Sequence, residues 1–160
     1  MLDKIIEKFN NYSPYINGWS NMKRAAVAIL LVDIEEETKI LFQVRALNMR
    51  SQPGDISLPG GKIESIESPK EAVKREVCEE LGLEEDDFEI VTPLDVLVTH
   101  YGLIVHPFLG YIKNYNNIKI NKDEVDHIFL ASINNLLKVN PIKDISKINV
   151  DRNKDFPYYL

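Results

Sequence analysis

The sequence predicts a single domain of the α/β (α+β) class spanning residues 1–160, and three observations support this prediction. The chain has 160 residues with 44% apolar and 28% charged content, which suits one hydrophobic core. Runs rich in β-branched and aromatic residues predict strands on both sides of segment 61–83. That segment carries the start and stop signals of one helix, so the strands surround a central helix.

The remaining elements follow from local patterns along the chain. Leu2 to Phe9 carry apolar residues at helical spacing and predict a short amphipathic helix. AAVAILLV and ILFQVRA flank the acidic DIEEETK and predict two strands joined by a hairpin loop. The segment NMRSQPGDISLPGG is predicted to be a loop. FEIVTPLDVLVTHYGLIVHPFLGYI predicts two or three strands with a turn at Tyr101-Gly102, DHIFLA predicts another strand, and SINNLLKV predicts a short helix capped by Ser132.

The central helix is predicted to run from about Pro69 to Leu81. Ser68 and Glu71 form a capping box, and a proline suits the first helical position. Gly82 is the expected left-handed stop after the helix. The apolar side of the helix includes Val73, Val77 and Leu81.

Three glutamates crowd the end of this helix, where the macrodipole disfavours negative charge. Glu76, Glu79 and Glu80 lie within about one third of the circumference. Each misplaced charge in a terminal turn costs roughly 0.3–1 kcal/mol. The helix alone leaves two interpretations open: a solvated acidic face, or a site for a hard divalent cation such as Mg²⁺ or Mn²⁺.

Composition and charge narrow the function classes. The net charge of −6, without a cluster of Lys and Arg, argues against a nucleic-acid partner. The longest apolar run, Ala25 to Val32, is too short to span a bilayer, so no membrane partner is expected. A single cysteine, Cys78, fits a reducing compartment, and we expect a cytoplasmic location. The sequence is also compatible with a homodimer.

Segment 61–83 matches a long spaced pattern at every defined position. Glu67 follows Gly61 after five residues, and seven further residues separate Glu67 from Arg75. The pattern then continues through Glu76, Val77, Glu79, Glu80, Gly82 and Leu83. This segment resembles the Nudix box, the signature of hydrolases that cleave a nucleoside diphosphate linked to another moiety. The resemblance implies a Nudix-type α/β/α sandwich with a mixed β-sheet and a central catalytic helix.

The resemblance also implies roles for individual residues. Glu76, Glu79 and Glu80 would hold catalytic Mg²⁺ or Mn²⁺ ions, with a Gly60 carbonyl as a further ligand. The general base stays open among Glu79, Glu80 and Glu124, the last of which lies in KDEVDHIF.

Three further residues of the box would organise the loop and the helix. Arg75 would orient a motif glutamate by a salt bridge, and the alternative for it is an i,i+4 pair with Glu71. Gly61 and Glu67 would support the loop against the helix. For Glu67 and Glu124, ordinary solvated loop positions are the alternative.

A second pattern lies upstream in RALNMRSQPGDISLPGG. Its skeleton resembles the additional signature of coenzyme A pyrophosphatases, which cut CoA or acyl-CoA into 3′,5′-ADP and 4′-phosphopantetheine or its acyl derivative. The skeleton consists of Arg45-Ala46, Arg50, Gly54 and Leu58-Pro59-Gly60-Gly61. The sequence departs from that signature at Leu41-Phe42-Gln43, where Leu-Leu-Thr is usual, at Leu58 and at Gln52, and none of these positions is an implied metal ligand.

The candidate substrate residues are Arg45, Arg50 and Gly54 of this skeleton, together with Lys62, which could reach the diphosphate or simply be solvated. The two arginines suit bidentate contacts with the 3′-phosphate that distinguishes CoA, and surface charge balance is their alternative role. Two other functions remain open: hydrolysis of another nucleoside diphosphate derivative, such as ADP-ribose or an oxidised nucleoside triphosphate, and a non-catalytic nucleotide-binding module. Within the resemblance, a further strand and a terminal helix are expected beyond Leu160.

Overall fold

The computed structural model describes residues 22–64, 66–99 and 102–139. The predicted helix at Leu2–Phe9, Tyr101 of the predicted turn and the chain from Asn140 onward lie outside the described residues. Within the described part, eight strands form one sheet and the longest helix packs on it. The elements are β1 (Lys23–Ile34), β2 (Glu37–Arg45), β3 (Ile56–Ser57), β4 (Gly60–Lys62), α1 (Pro69–Leu81), β5 (Phe88–Pro93), β6 (Leu97–Val98), β7 (Leu103–Ile112), β8 (Val125–Ser132) and α2 (Ile133–Leu136), with 3₁₀ turns at Glu85–Asp87 and Tyr115–Asn117.

The sheet is mixed, as expected for the α+β Nudix fold class. Strand β1 runs parallel to β7, and the other pairings are antiparallel. The central order is β3-β2-β1-β7-β5, with β8 on β2, β4 on β1 and β6 on β7. The predicted fold class is therefore confirmed. Among the described residues, no helix has the length and apolar content needed to cross a membrane.

The β1–β2 hairpin is tighter than the sequence predicted. We expected the acidic stretch 33–39 to form a loop, but the strands continue to Ile34 and resume at Glu37. The turn consists of Glu35 and Glu36 alone, with φ angles of 55° and 60°. Two consecutive positive φ angles are typical of a type I′ turn, whose twist matches that of the flanking strands. The prediction missed this turn because glutamate is not a usual residue at such positions.

Strands β1 and β2 separate beyond the hairpin, and segment 56–62 fills the gap between them. Ile56 and Ser57 pair with β2, whereas Gly60 to Lys62 pair with β1. The amide of Ala28 also donates to the carbonyl of Pro59 at 2.8 Å. Part of the stretch predicted as a loop is therefore built into the sheet, which fixes the backbone of the two glycines.

Helix α1 begins and ends where the sequence predicted. The Ser68 hydroxyl accepts from the Glu71 amide at 3.3 Å, and the Glu71 carboxylate accepts from the Ser68 amide at 2.7 Å. Gly82 ends the helix with a left-handed φ of 62°, and its amide donates to the carbonyl of Cys78 at 2.9 Å. The prediction that Ser132 caps α2 is confirmed as well, because its side chain accepts from the amide of Asn135.

The core lies between α1 and the sheet face on which it packs. The buried residues of β1 occur at every second position, as expected for a strand with one face against a helix. They meet a fully buried stripe of α1 that includes the three predicted apolar residues, Val73, Val77 and Leu81. Burial of each such side chain contributes about 1.5–3 kcal/mol.

The end of α1 is joined to the loop that leads into β8. The amide of Lys119 donates to the carbonyl of Leu81 at 2.8 Å, and that of Asn121 donates to the carbonyl of Glu80 at 2.9 Å. These bonds satisfy carbonyls that a helix end leaves without an intrahelical partner. They also bring Glu124 towards the end of the helix, where the glutamates lie.

Candidate active site

The candidate site lies where β4 passes beneath the end of α1. The amide of Gly60 donates to Oε2 of Glu80 at 2.8 Å. A side chain on Gly61 would overlap the carboxylate of Glu76, since a Cβ there would lie 2.6 Å from Glu76 Oε2. Gly61 therefore allows a close approach between the strand backbone and Glu76, while Gly60 binds Glu80 through its amide.

Glu80 is the buried member of the glutamate cluster, with 3% of its surface exposed. The pKa of Glu80 is raised to about 7, chiefly by burial and to a smaller extent by the charges of Glu76 and Glu124. Hydrogen bonds from the Gly60 amide and the Gln43 side chain oppose this rise by stabilising the charged form. The carboxylate is therefore held in a fixed place at a cost to folding stability.

Glu76 lies beside Glu80 and is also largely buried. Burial is the main cause of its raised pKa, and the nearby charges of Glu79 and Glu124 act in the same direction. The guanidinium of Arg75 opposes them through an ion pair of 2.9 Å with Oε1 of Glu76. Glu124 thus lies close enough for its charge to disfavour the charged forms of Glu76 and Glu80.

Arg75 connects the helix to the preceding loop. Its guanidinium binds Glu67 through both carboxylate oxygens, at 2.9 Å and 3.2 Å, and contacts Glu79 at 2.9 Å. It also donates to the carbonyl of Lys62 at 3.1 Å. These hydrogen bonds, chiefly the one to Glu67, raise the pKa of Arg75, and they lower that of Glu67. Glu71 serves the capping box instead, so the i,i+4 partner of Arg75 is Glu79.

Glu79 differs from the other two glutamates of the cluster in its environment. Its side chain is 51% exposed and is bound by Arg75, although it lies on the same third of the helix as Glu76 and Glu80. Helical spacing alone did not predict this difference. It arises because β4 covers one edge of the glutamate cluster and leaves the other edge open.

The four predicted substrate residues lie on β2, on the loop after it and on β4. Arg45 ends β2 next to Val125, and its Nε donates to the carbonyl of Ser51 at 3.3 Å. Gly54 adopts a left-handed φ of 76°, and its amide donates to the carbonyl of Arg45 at 3.1 Å. Its conformation thus accounts for the glycine without any ligand. Arg50 and Lys62 are exposed.

The donor set fits a small divalent cation that keeps part of its water shell. Across residues 22–64, 66–99 and 102–139, no three His, Cys, Asp or Glu side chains are already grouped to hold a metal. Mg²⁺ needs fewer, because it is usually bound by one or two carboxylates together with water and substrate phosphates. Glu76 and Glu80 supply two such carboxylates, and a cation between them would relieve their mutual repulsion.

The sequence did not predict a role for Gln43 in the candidate site, nor the burial of the Ser57 hydroxyl. Gln43 is 1% exposed, and its side chain hydrogen-bonds Glu80. A signal was present, because Gln43 follows the buried Leu41 by two residues and must face the same side of the sheet. A polar residue in the buried phase of a strand requires an explanation. Ser57 lies opposite Gln43 on β3, and only the unpredicted β3–β2 pairing reveals it.

The described histidines and the cysteine differ from the glutamates in their surroundings. His127 is exposed and contacts Asp126, while His106 is half-buried on β7 and burial lowers its pKa. His100 lies outside the described residues. Cys78 is half-buried, and burial raises the pKa of its thiol, which does not favour a nucleophile.

Comparisons with known proteins agree with this geometry. Residues 22–151 match the family described as NUDIX domain. The peroxisomal coenzyme A diphosphatase ndx-8 of Caenorhabditis elegans is 30% identical over 118 residues, which cover 71% of this chain and 50% of that protein. The mitochondrial Nudix hydrolase 15 of Arabidopsis thaliana is 32% identical over 120 residues, which cover 72% and 42% respectively. The chain therefore spans about half the length of the curated relatives it matches.

Solved structures show the same fold. The crystal structure of a binary complex of a C. elegans Ap4A hydrolase has a TM-score of 0.59 at 16% identity, covering 72% of this chain and 84% of that one. The MutT protein from Methanosarcina mazei has a TM-score of 0.54 at 28% identity, covering 74% and 82%. With the NUDIX match extending over most of the sequence and the characteristic glutamate helix in place, the chain belongs to the Nudix family.

Proposed function

We propose that this chain is a Mg²⁺- or Mn²⁺-dependent diphosphatase that hydrolyses CoA or acyl-CoA. The products would be 3′,5′-ADP and 4′-phosphopantetheine or its acyl derivative. The observation that carries the proposal is the pair of mutually repelling carboxylates against the glycine backbone of β4, of which Glu80 is buried and Glu76 is partly buried. Such a pair destabilises the fold unless it has a ligand to hold.

Each residue of the site has a proposed part in the reaction. Glu76 and Glu80 would hold the cation, with Glu79 and the carbonyl of Gly60 as further candidate ligands. When bound, a divalent cation would neutralise phosphate charge and favour deprotonation of the attacking water. Arg75 restrains Glu76 and Glu79, and Glu67 anchors Arg75 to the loop. Glu79, Glu80 and Glu124 are the candidates to accept the proton of the attacking water.

The preference for CoA depends on the second motif and on the segments that carry it. The bond from the amide of Gly54 to the carbonyl of Arg45 ties the loop to the end of β2. The amide of Ala46 donates to the carbonyl of Glu124 at 2.9 Å, so the end of β2 and the candidate base share one corner. Two arginines at this corner would read the 3′-phosphate. The relative named as a coenzyme A diphosphatase supports the same substrate.

A substrate panel tests the proposal. We would incubate the protein and Mg²⁺ with CoA, 3′-dephospho-CoA, ADP-ribose and an oxidised nucleoside triphosphate, and identify the products by mass spectrometry. We expect release of 3′,5′-ADP from CoA with the highest kcat/KM of the four. A higher kcat/KM for ADP-ribose or the triphosphate would favour the alternative Nudix activity. Binding of all four compounds without turnover would favour a non-catalytic nucleotide-binding module. The complete set of motif glutamates argues against such a module.

Removal of either arginine should affect CoA more than 3′-dephospho-CoA. Loss of one charged hydrogen bond costs about 1.5–3 kcal/mol, so we expect roughly a 10–150-fold fall in kcat/KM for CoA in Arg45→Ala and Arg50→Ala. The value for 3′-dephospho-CoA should change little. Lys113→Ala is the matched control, because this cation pairs with Glu89 at 3.6 Å and lies outside the site. Equal losses on both substrates would refute the assignment to the 3′-phosphate.

Gly61→Ala should impair the site while preserving the fold. The new methyl group would meet the carboxylate of Glu76, the mobile end of a side chain, rather than backbone. We expect the unfolding midpoint to change little. Turnover should fall about 10–100-fold, the range seen when the support of a metal ligand is lost. Unchanged turnover would show that the position of Glu76 is not critical.

We also propose a cytoplasmic location for the protein. The alternative locations are the peroxisome and the mitochondrion, which appear in the names of two relatives. Fractionation of cells that express the full-length protein, with marker enzymes for each compartment, tests this proposal.

A further inference from the structure

Gln43 is a buried polar residue of β2 that the roles assigned so far do not explain. It is 1% exposed and follows Leu41 on the core-facing side of the strand. Its cross-strand partners are Ser57 of β3 and Ile128 of β8. Directly opposed residues point to the same face of a sheet, so Ser57 also faces the helix side.

The side chain of Gln43 is directed at the inner glutamate of the candidate site. Burial and the register of β2 place the Gln43 side chain on the core-facing side of the sheet, and hydrogen bonding from Gln43 lowers the pKa of Glu80, so the amide N–H is the donor to this carboxylate. The amide of Gly60 donates to Oε2 of the same carboxylate at 2.8 Å. Two donors, one from β2 and one from β4, therefore fix the orientation of Glu80.

Fold stability does not account for this glutamine. Among the described residues, the Oε1 atom of Gln43 and the hydroxyl of Ser57 are buried without a hydrogen-bond partner. A buried amide with only its donor side satisfied weakens the fold relative to an apolar side chain of the same size. Residues that break a rule of core composition without a gain in stability are typically retained for function.

We propose that Gln43 is a positioning residue, which orients the Glu80 carboxylate for cation binding by donating a hydrogen bond from its side-chain amide. This inference rests on the proposed function, because it assumes that Glu80 is a metal ligand. Gln43 itself contacts neither the cation nor the substrate. Its hydrogen bond holds the ligand in place before the cation arrives, which reduces the reorganisation that binding requires.

The test compares Gln43→Met with the wild-type protein. Methionine has a similar length and volume but no amide. We would titrate each full-length protein with Mn²⁺ by calorimetry, in the absence of substrate, and measure unfolding of the metal-free proteins. We expect the Kd for Mn²⁺ to rise about 10–100-fold, as on loss of other partners of metal ligands. The unfolding midpoint of the metal-free variant should equal or exceed that of the wild type.

Asn114→Ala supplies a control with the opposite pattern. Asn114 donates to Oδ1 of Asp87 at 2.9 Å, away from the glutamates. We expect its loss to lower the unfolding midpoint and leave the Kd for Mn²⁺ unchanged. A Gln43→Met protein that behaves like Asn114→Ala would overturn the proposal, since that pattern indicates a structural role.

A second variant covers the case in which methionine is not accommodated. Gln43→Leu is apolar and shorter than methionine and cannot donate to Glu80, so the same loss of Mn²⁺ affinity is expected. Wild-type affinity in Gln43→Leu would refute the role of the amide and leave the proposed function intact. A wild-type protein that does not bind Mn²⁺ would overturn both the proposed function and this inference.

Discussion

Glu80→Gln is expected to abolish diphosphatase turnover, with a loss of at least about 100-fold, because even the partners of metal ligands are worth 10–100-fold. The substitution preserves the shape of the side chain. It also preserves an oxygen that can accept the hydrogen bond from the Gly60 amide. It removes one of the two buried negative charges proposed to hold the cation. Steady-state assays on CoA at saturating Mg²⁺, with product analysis, measure the effect.

The same substitution should stabilise the metal-free protein at neutral and alkaline pH. Burial raises the pKa of Glu80 from its ordinary value of 4.5 to about 7. The folded state therefore binds the proton more tightly than the unfolded state. The stability contributed by protonated Glu80 is fully present below the unfolded pKa and is lost as pH rises through about 7. That loss is on the order of 3 kcal/mol and should be absent in Glu80→Gln.

Urea unfolding in the presence of a chelator, between about pH 5 and pH 8, measures this difference. Glu85→Gln is the matched control, because Glu85 is an exposed glutamate that pairs with Lys74 beyond the cluster. It should leave both turnover and the pH dependence of stability unchanged. Turnover of Glu80→Gln at the wild-type rate would contradict the assignment of Glu80 as a metal ligand. If the free energy of unfolding depended on pH equally in the wild type and in Glu80→Gln, this result would contradict the burial of Glu80.

Gly60→Ala is expected to have the largest effect on stability of any substitution considered. Gly60 has a φ of 145°, outside the range that other residues readily adopt. Its Cβ would overlap the carbonyl oxygen of Ala26 and would lie 2.6 Å from the Cα of Val27. Both of these atoms belong to the backbone of β1, so the overlap can be relieved only if β1 and β4 move apart. We expect a loss above about 4 kcal/mol, enough to unfold much of the protein.

Gly102→Ala separates the steric effect from backbone strain. Gly102 also has a positive φ, of 74°, but a Cβ there would meet no atom within 4 Å. Gly102→Ala should therefore lower the free energy of unfolding only by the strain of the left-handed conformation, about 1–2 kcal/mol. Circular dichroism and urea unfolding of the two variants provide the comparison. Similar midpoints for both would mean that β4 does not pass against β1 as the structure shows.

The features that sequence predicted well are those determined within a few residues. The limits of α1 follow from Ser68, Pro69, Glu71 and Gly82, whose effects on the backbone are local. The buried stripe of α1 follows from helical periodicity. The Nudix family also follows from a local pattern, because most of its defined positions lie on one loop and one helix.

The features that sequence did not predict depend on distant parts of the chain. Strands β3 and β4 have two and three residues and contain glycine, so no local pattern marks them. Their pairing with β2 and β1 is what buries one glutamate and leaves another exposed. The role of Gln43 follows from the same contacts, since its meeting with Glu80 requires β2 and α1 to be packed together. Helical spacing could place the glutamates on one face but could not rank their burial.

The junction between α1 and the start of β8 restricts how this fold can vary. The segment 119–124 satisfies the last carbonyls of the helix, while the carbonyl of Glu124 receives the amide of Ala46. One residue inserted in segment 119–124 would displace both the carboxylate of Glu124 and the end of β2. The exposed tip 50–53 is bound instead at the end of β2 and within its own loop, where the carbonyls of Ser51 and Gln52 accept from Arg45 and Asp55. In related proteins, insertions and deletions that change substrate preference should therefore occur at that tip, while the junction should keep a constant length.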